Sequence, residues 1–381
     1  MSSTVLFLID RASGADRVAG ARRFAAKRGW DVQVVERTGP RMDVKGVVDF
    51  WKPIGVVADC GGFFPDVSRK TVGRVPLVYM DEDPDGGKGR GLYVVANSPR
   101  IGDLAARELL SLDLDHYAFV PWRHPRYWSE ARRDAFAKAI RLHGRDCSVF
   151  FCPSADAGRR RKALVAWMKD LPKPCGIFAA HDPVAEEVLS VAAFLGLSVP
   201  DEIAVIGVDD DPRICDHASP PLTSIRLDFD ETGYICAELL AEKIDNPSLE
   251  HVVRTYEPVC VVRRLSTRRL GKSDPRVTRA LQHIRRNACV PNGTDVDAVA
   301  AAMGLRRRMA ENVFRAQTGH SIHDEVVAVR MEHVERLLSS PRQNIGSIAH
   351  LCGWASDSVL RKAFKEHHDG LSMREWREKK K

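Results

Sequence analysis

The side chains best equipped for chemistry in this chain are Arg307, Arg308, Glu311 and Asn312, a basic and amide cluster at helical spacing. An arginine fork matches the acceptor pair of guanine and an asparagine amide matches adenine, so a helix face carrying them reads bases as well as attracting phosphate. A second cluster, Asp357, Ser358, Arg361 and Lys362, repeats the arrangement with fewer reading groups. Asp357 repels phosphate but can accept a hydrogen bond from cytosine. Both faces must be held rigidly, and the preceding residues supply the means. Ala300-Ala301-Ala302-Met303-Gly304 leads to Phe314-Arg315, and 49 residues later Ala349-His350-Leu351-Cys352-Gly353 leads to Phe364-Lys365. A small Ala lets a second helix cross close to the first, and the Gly four residues on takes the left-handed turn between them. Two such steps predict a pair of helix-turn-helix motifs with second helices over 306–317 and 356–367. Met309, Val313 and Phe314 are expected to turn inward in the first, and Val359, Leu360 and Phe364 in the second. Asp295 is expected to cap the helix before the first turn. One long helix over 321–339 would hold the two second helices for successive major-groove segments about 34 Å apart.

Charge supports a polyanion partner. Of 58 Lys/Arg and 51 Asp/Glu, the chain from Gly271 onward holds 20 and 13, so the whole net charge of +7 lies there. The first 270 residues balance at 38 of each. A basic module joined to a neutral one points to two jobs. The 381 residues suffice for two or three domains. Nine scattered cysteines form no C-x-x-C pair, which argues against a disulfide framework and a zinc site. The apolar run Val5–Ile9 has no basic segment before it and reads as a first strand, not a signal peptide. No stretch approaches the ~20 apolar residues of a membrane span, so a cytoplasmic location is expected.

Residues 1–265 alternate short Val/Ile/Ala runs with amphipathic stretches. Ten strands are expected, beginning near positions 5, 31, 54, 75, 92, 116, 147, 176, 203 and 222, with helices at 15–28, 101–111, 129–143, 157–169, 183–195 and 229–244. Continuous apolar strands separated by helices indicate parallel sheets buried on both faces, in enough βα units for two lobes. Ligands of such sheets bind beyond the carboxyl ends of the strands. Residues 266–275 read as a linker, and 276–381 as an all-α double helix-turn-helix domain. Asp81–Gly86 mimics the start of a calcium loop, but its twelfth position is Leu92, so it reads as a turn. Gly86–Gly91 lacks the spacing of a phosphate-binding loop. With no nucleophile–base grouping in view, no catalytic residues, metal or cofactor are expected.

Residues from about 277 to 379 resemble the AraC/XylS-type DNA-binding domain. The match rests on Thr318-Gly-His-Ser-Ile, Arg330-Met331, Leu337-Leu338, Ile348-Ala349, Gly353-Trp354, Phe364-Lys365 and the stretch Leu371 to Arg377. The resemblance implies DNA-facing residues at Arg308, Glu311, Asn312, Asp357, Ser358 and Lys362. Ala310, Leu360 and Met373 stand where that family usually has Leu, Phe and Pro, and Ala310 in particular is expected to loosen the first motif's core.

Residues 4–265 are similar to the LacI/GalR-type ligand domain, a two-lobed α/β type I periplasmic-binding-protein fold. The similarity is carried by Ile177–Asp182, Leu197–Gly207, Val208-Asp209-Asp210, Pro220–Ser224 and Arg264–Thr267. A sensor followed by an AraC-type reader resembles the xylose operon regulators, which act as activators responding to a pentose between the lobes. Carried across, that resemblance implies ligand contacts at Arg132, Asp182 and Asp209, since carboxylates and a guanidinium suit a polyol. Trp122 or Trp128 would offer a flat face for a sugar ring. Asp182 could equally be a helix cap and either Trp a packing residue. The implied partners are double-stranded DNA, a sugar effector, a second copy of the chain and, for an activator, RNA polymerase, with no membrane. The competing readings are a sensor domain that serves only as a dimerisation or protein-contact module and, more remotely, an enzyme fused to a DNA reader.

Overall fold

A computed structural model describes residues 3–10, 14–37, 39, 42–86, 88–152, 154, 156–268, 274–290, 294–339, 345–368 and 370–379. The chain forms two compact units. One comprises residues 1–214 and 222–267, and the other 215–221 and 268–381.

Among the described residues the first unit holds twelve strands. They are β1 (Thr4–Leu8), β2 (Asp31–Val35), β3 (Gly55–Asp59), β4 (Leu77–Met80), β5 (Leu92–Ala96), β6 (His116–Val120), β7 (Cys147–Val149), β8 (Cys175–Ala179), β9 (Ile203–Asp209), β10 (Thr223–Leu227), β11 (Val252–Tyr256) and β12 (Pro258–Val262). They form two six-stranded sheets, ordered β11-β5-β4-β3-β1-β2 and β12-β10-β9-β8-β6-β7. The fold class is the two-lobed α/β class read from the sequence, with one amendment: β12 runs antiparallel to β10 at the edge of the second sheet. β11 escapes sequence reading because its residues alternate between half-buried and exposed at a sheet edge, with only Tyr256 buried. The central strands β1, β3, β4, β5, β8 and most of β9 are buried throughout, as helices on both faces require.

One helix crossing matters for function. Helix Ala15–Arg28 lies across helix Phe229–Asp245 at glycine contact distance: a Cβ on Gly20 would sit 1.7 Å from the Asp230 carbonyl oxygen, and one on Gly233 1.7 Å from that of Arg17. Only glycine permits that approach, and it brings Arg17 over the Phe229 ring at 4.0 Å.

The second unit is helical. Its helices are Pro275–Asn287, Val296–Met303, Arg307–Thr318, Ile322–Ser339, Ile345–Leu351, Asp357–His367 and Met373–Lys379. Asp295 caps the second of these, accepting from Ala298 N at 2.7 Å. The expected linker is shorter than 266–275. Ser266 and Thr267 are buried in the first unit, where the Ser266 hydroxyl donates to the Val205 carbonyl at 2.6 Å, and 269–273 lie outside the described residues.

Candidate ligand cavity and nucleic-acid interface

A cavity of about 720 Å³ lies at the carboxyl ends of both sheets, the position such sheets favour for ligands. Four of the expected contacts line it: Arg132, Asp209, Trp122 and Trp128. Arg132 is buried in helix Tyr127–Leu142, donates from Nη1 to the Ala180 carbonyl at 2.6 Å, and lies 4.9 Å from the Trp128 ring. The Trp128 indole donates to the Gly61 carbonyl at 3.2 Å, joining the second lobe to the loop after β3. Trp122 and Trp128 flank His181, with ring centroids 4.5 and 5.5 Å away. Burial, reinforced by the Arg132 charge, pulls the His181 imidazole down to about 3. It is therefore neutral at physiological pH and offers one donor and one acceptor.

Asp209 ends β9 with φ 110° and Asp210 follows at 55°, conformations that cost non-glycine residues energy and persist where neighbours over-determine them. Here the neighbours are evident. The buried Arg264 donates to Asp210 Oδ1 at 2.8 Å and Arg226 to Oδ2 at 2.8 Å, while Asp210 N donates to the Ser224 hydroxyl at 3.0 Å. Burial pushes the Asp209 carboxyl up to about 6, against the pull of Arg132 and Arg17.

Asp182 is the correction. It is fully buried and is not among the residues lining the cavity: Oδ1 accepts from the Ser224 hydroxyl at 2.6 Å and Oδ2 from Asp211 N at 2.9 Å. The cap of its helix is His181, without a side-chain cap bond. Asp182 does not cap its helix, and both its carboxylate oxygens are engaged in bracing the strained loop that presents Asp209.

In the helical unit, Gly304 and Gly353 both take the left-handed turn, at φ 68° and 69°, with Ala300 and Ala349 buried. On the second helix of the first motif Arg307, Arg308 and Asn312 are exposed and Glu311 half-exposed. On that of the second motif Ser358, Arg361 and Lys362 are exposed and Asp357 half-buried. Pairing separates them. Arg307 reaches Asp297 at 3.2 Å and Glu311 at 3.9 Å, Arg361 meets Asp357 at 2.7 Å, and Lys362 lies 4.0 Å from Glu366. Arg308 and Asn312 have no side-chain partner among the described residues. Two inward assignments fail: Met309 is 57% exposed and Val359 48%, while Ala310 and Leu360 are fully buried. Phe314, Leu360 and Phe364 are buried as expected, and Ala310, four residues before Phe314, takes the inward position that Leu360 takes before Phe364.

The comparisons agree with this geometry. A periplasmic binding protein-like domain matches residues 106–267 and a helix-turn-helix domain residues 299–379. The xylose operon regulatory protein of Escherichia coli (strain K12) is 26% identical over 96% of this chain and 94% of its own. The solved structure of the xylose-binding transcription activator XylR aligns with 99% of this chain and 98% of its own, at a TM-score of 0.58 and 24% identity. A LacI family transcriptional regulator from Arthrobacter sp. FB24, in complex with lactose, aligns over 70% of this chain and 99% of its own, at a TM-score of 0.55 and 25% identity. The chain thus joins a periplasmic binding protein-like domain to a helix-turn-helix domain and is similar along nearly its whole length to a xylose operon regulatory protein. Its two domains are those of a DNA-binding regulator with a ligand-binding sensor.

Several cavity residues of this regulator escape sequence reading. Arg17 donates to Asp81 at 3.2 Å, and the Tyr256 hydroxyl donates to the same carboxylate at 2.9 Å. Asp59 ends β3 beside them, its carboxyl pushed up to about 6 by burial against the pull of Arg17, with Asp81 adding repulsion. Asp81 stands in the acidic stretch that reads as a turn, and Tyr256 ends the unread β11. The one usable signal is position, since Asp59, Asp81 and Tyr256 all stand at or just after a strand's carboxyl end.

Proposed function

We propose that the regulator binds a pentose such as xylose between its lobes and, as a homodimer in the cytoplasm, activates transcription through contact with RNA polymerase. One observation supports the sugar site most. Four buried polar atoms have no hydrogen-bond partner among the described residues while their side chains line the cavity: Arg17 Nε, Arg126 Nε, Arg132 Nε and His181 Nδ1. Leaving such atoms unpaired costs stability, about 1–3 kcal/mol each, and hydroxyl groups of a sugar would satisfy them. Asp59, Asp81 and Asp209 add acceptors for a polyol, and Phe229 adds an apolar face. On this reading Arg308 and Asn312 discriminate bases, and Met309 and Val359, at matching places on the two motifs, supply apolar contact for thymine methyl groups. Similarity to the xylose operon regulatory protein supports the pentose, and similarity to the xylose-binding transcription activator XylR supports the activator role.

A thermal-shift screen of the full chain against pentoses, hexoses and lactose tests this. Stabilisation by a pentose above the other sugars is expected. A flat response to every sugar would favour a sensor domain that serves only as a protein-contact module, and turnover of any sugar would make the chain an enzyme.

A further inference from the structure

One cluster in the helical unit takes no part in base reading or sugar binding. Glu335 lies on the long helix Ile322–Ser339, and His367 and His368 stand at the end of the second reading helix Asp357–His367. Their ligating atoms all lie within 4.8 Å of one another. His368 Nε2 is 3.2 Å from a Glu335 oxygen. The His368 ring is held against the core, its centroid 4.2 Å from that of the buried Phe364 and 5.8 Å from that of Trp376. His367 is exposed, with its ring 5.0 Å from that of His368.

We propose that Glu335, His367 and His368 form a site for a divalent transition-metal ion, best suited to Zn²⁺. Two imidazoles and a carboxylate are the donor set of a three-ligand zinc centre, leaving a fourth position for water. Calcium and magnesium want oxygen cages, whereas imidazole suits the later first-row metals. At metal–ligand lengths of about 2.0–2.2 Å, tetrahedral donors stand roughly 3.4 Å apart. The cluster therefore has to contract by about 1 Å, which rotation of the exposed His367 side chain provides. The electrostatics favour a cation twice over, through the carboxylate and through the negative end of the helix dipole. The ion would tie the end of the second reading helix to the long helix that joins the two motifs. The expectation of no metal rests on the absence of cysteine pairs. Glu335 lies too far from the histidines in sequence to suggest a site, and folding assembles it.

The test is titration of the full chain with Zn²⁺ and with Co²⁺, for the wild type, His367→Ala and Glu335→Gln. The wild type is expected to take up one ion per chain saturably, to melt higher with Zn²⁺, and to give a visible Co²⁺ absorption without a thiolate charge-transfer band. His367→Ala alters a surface side chain and preserves the fold. It should bind more weakly by at least the 10–100-fold, on the order of magnitude, that loss of an outer-shell partner costs. Glu335→Gln should weaken binding in the same direction. Absence of saturable uptake, unchanged affinity in His367→Ala, or a thiolate band marking a cysteine site would each overturn the proposal.

Discussion

The cavity between the lobes and the exposed second helices of the two turn motifs both present arginines, carboxylates and amides, yet they hold them in opposite ways. In the cavity the charges are buried and displaced from ordinary behaviour: Asp59 and Asp209 are pushed up to about 6 and His181 down to about 3, all chiefly by burial. On the reading helices Arg307, Arg308 and Asn312 stand in solvent. On the proposed reading, cavity substitutions should therefore change folding and ligand binding together, whereas substitutions on the exposed helix faces should change DNA binding and leave the fold alone.

The largest expected effect comes from Asp59→Asn. A carboxyl raised from 3.8 to about 6 is disfavoured when charged in the folded chain, by on the order of 3 kcal/mol at neutral pH. Asp59→Asn should accordingly stabilise the protein by about 1–3 kcal/mol while weakening sugar binding, as denaturant melts and calorimetry would read. The folded chain binds more protons than the unfolded between pH 3.8 and about 6, so the wild-type cost of Asp59 grows as pH rises through that window. The difference between wild type and variant should vanish near pH 4, and a pH-independent difference would break the contrast. His181 has the reverse sign. With its folded value lowered from 6.5 to about 3, it lowers stability as pH falls from 6.5 towards 3.

An effect confined to DNA binding sharpens the other side. Arg308→Ala should relax base preference at one half of the binding site by about 1–3 kcal/mol and leave the melting temperature unmoved. Arg361 is already paired with Asp357 at 2.7 Å. Arg361→Ala should therefore cost only about 0–1 kcal/mol, spread evenly over sequences in a selection experiment. An unchanged site profile for Arg308→Ala would remove the first motif from its place as principal reader.

The same contrast explains what is legible in the sequence. Helix-turn-helix signals are local, and Ala300–Gly304 and Ala349–Gly353 announce their turns in five residues each. Strands buried on both faces are equally plain, as β1 and β9 show. The cavity is assembled from strand ends far apart in sequence, and the sequence does not say which way a side chain leaves a strand. Asp182 and Asp209 follow the same kind of strand, yet one braces a loop and the other lines the cavity. Arg17 takes its place only through the glycine contact with helix Phe229–Asp245, a long-range feature. The bulk of Met309 suggests burial, but helical spacing from the buried Phe314 places Ala310 on the inward face instead.

The most direct test of a sugar-controlled DNA reader is the affinity for a DNA site selected from random sequence, measured by fluorescence anisotropy with and without pentose, for wild type and Asp209→Ala. The sugar should change specific affinity in the wild type and not in Asp209→Ala, with both chains binding non-specific DNA alike. A pentose response retained in Asp209→Ala, or lost DNA binding with sugar binding intact, would contradict that division of labour.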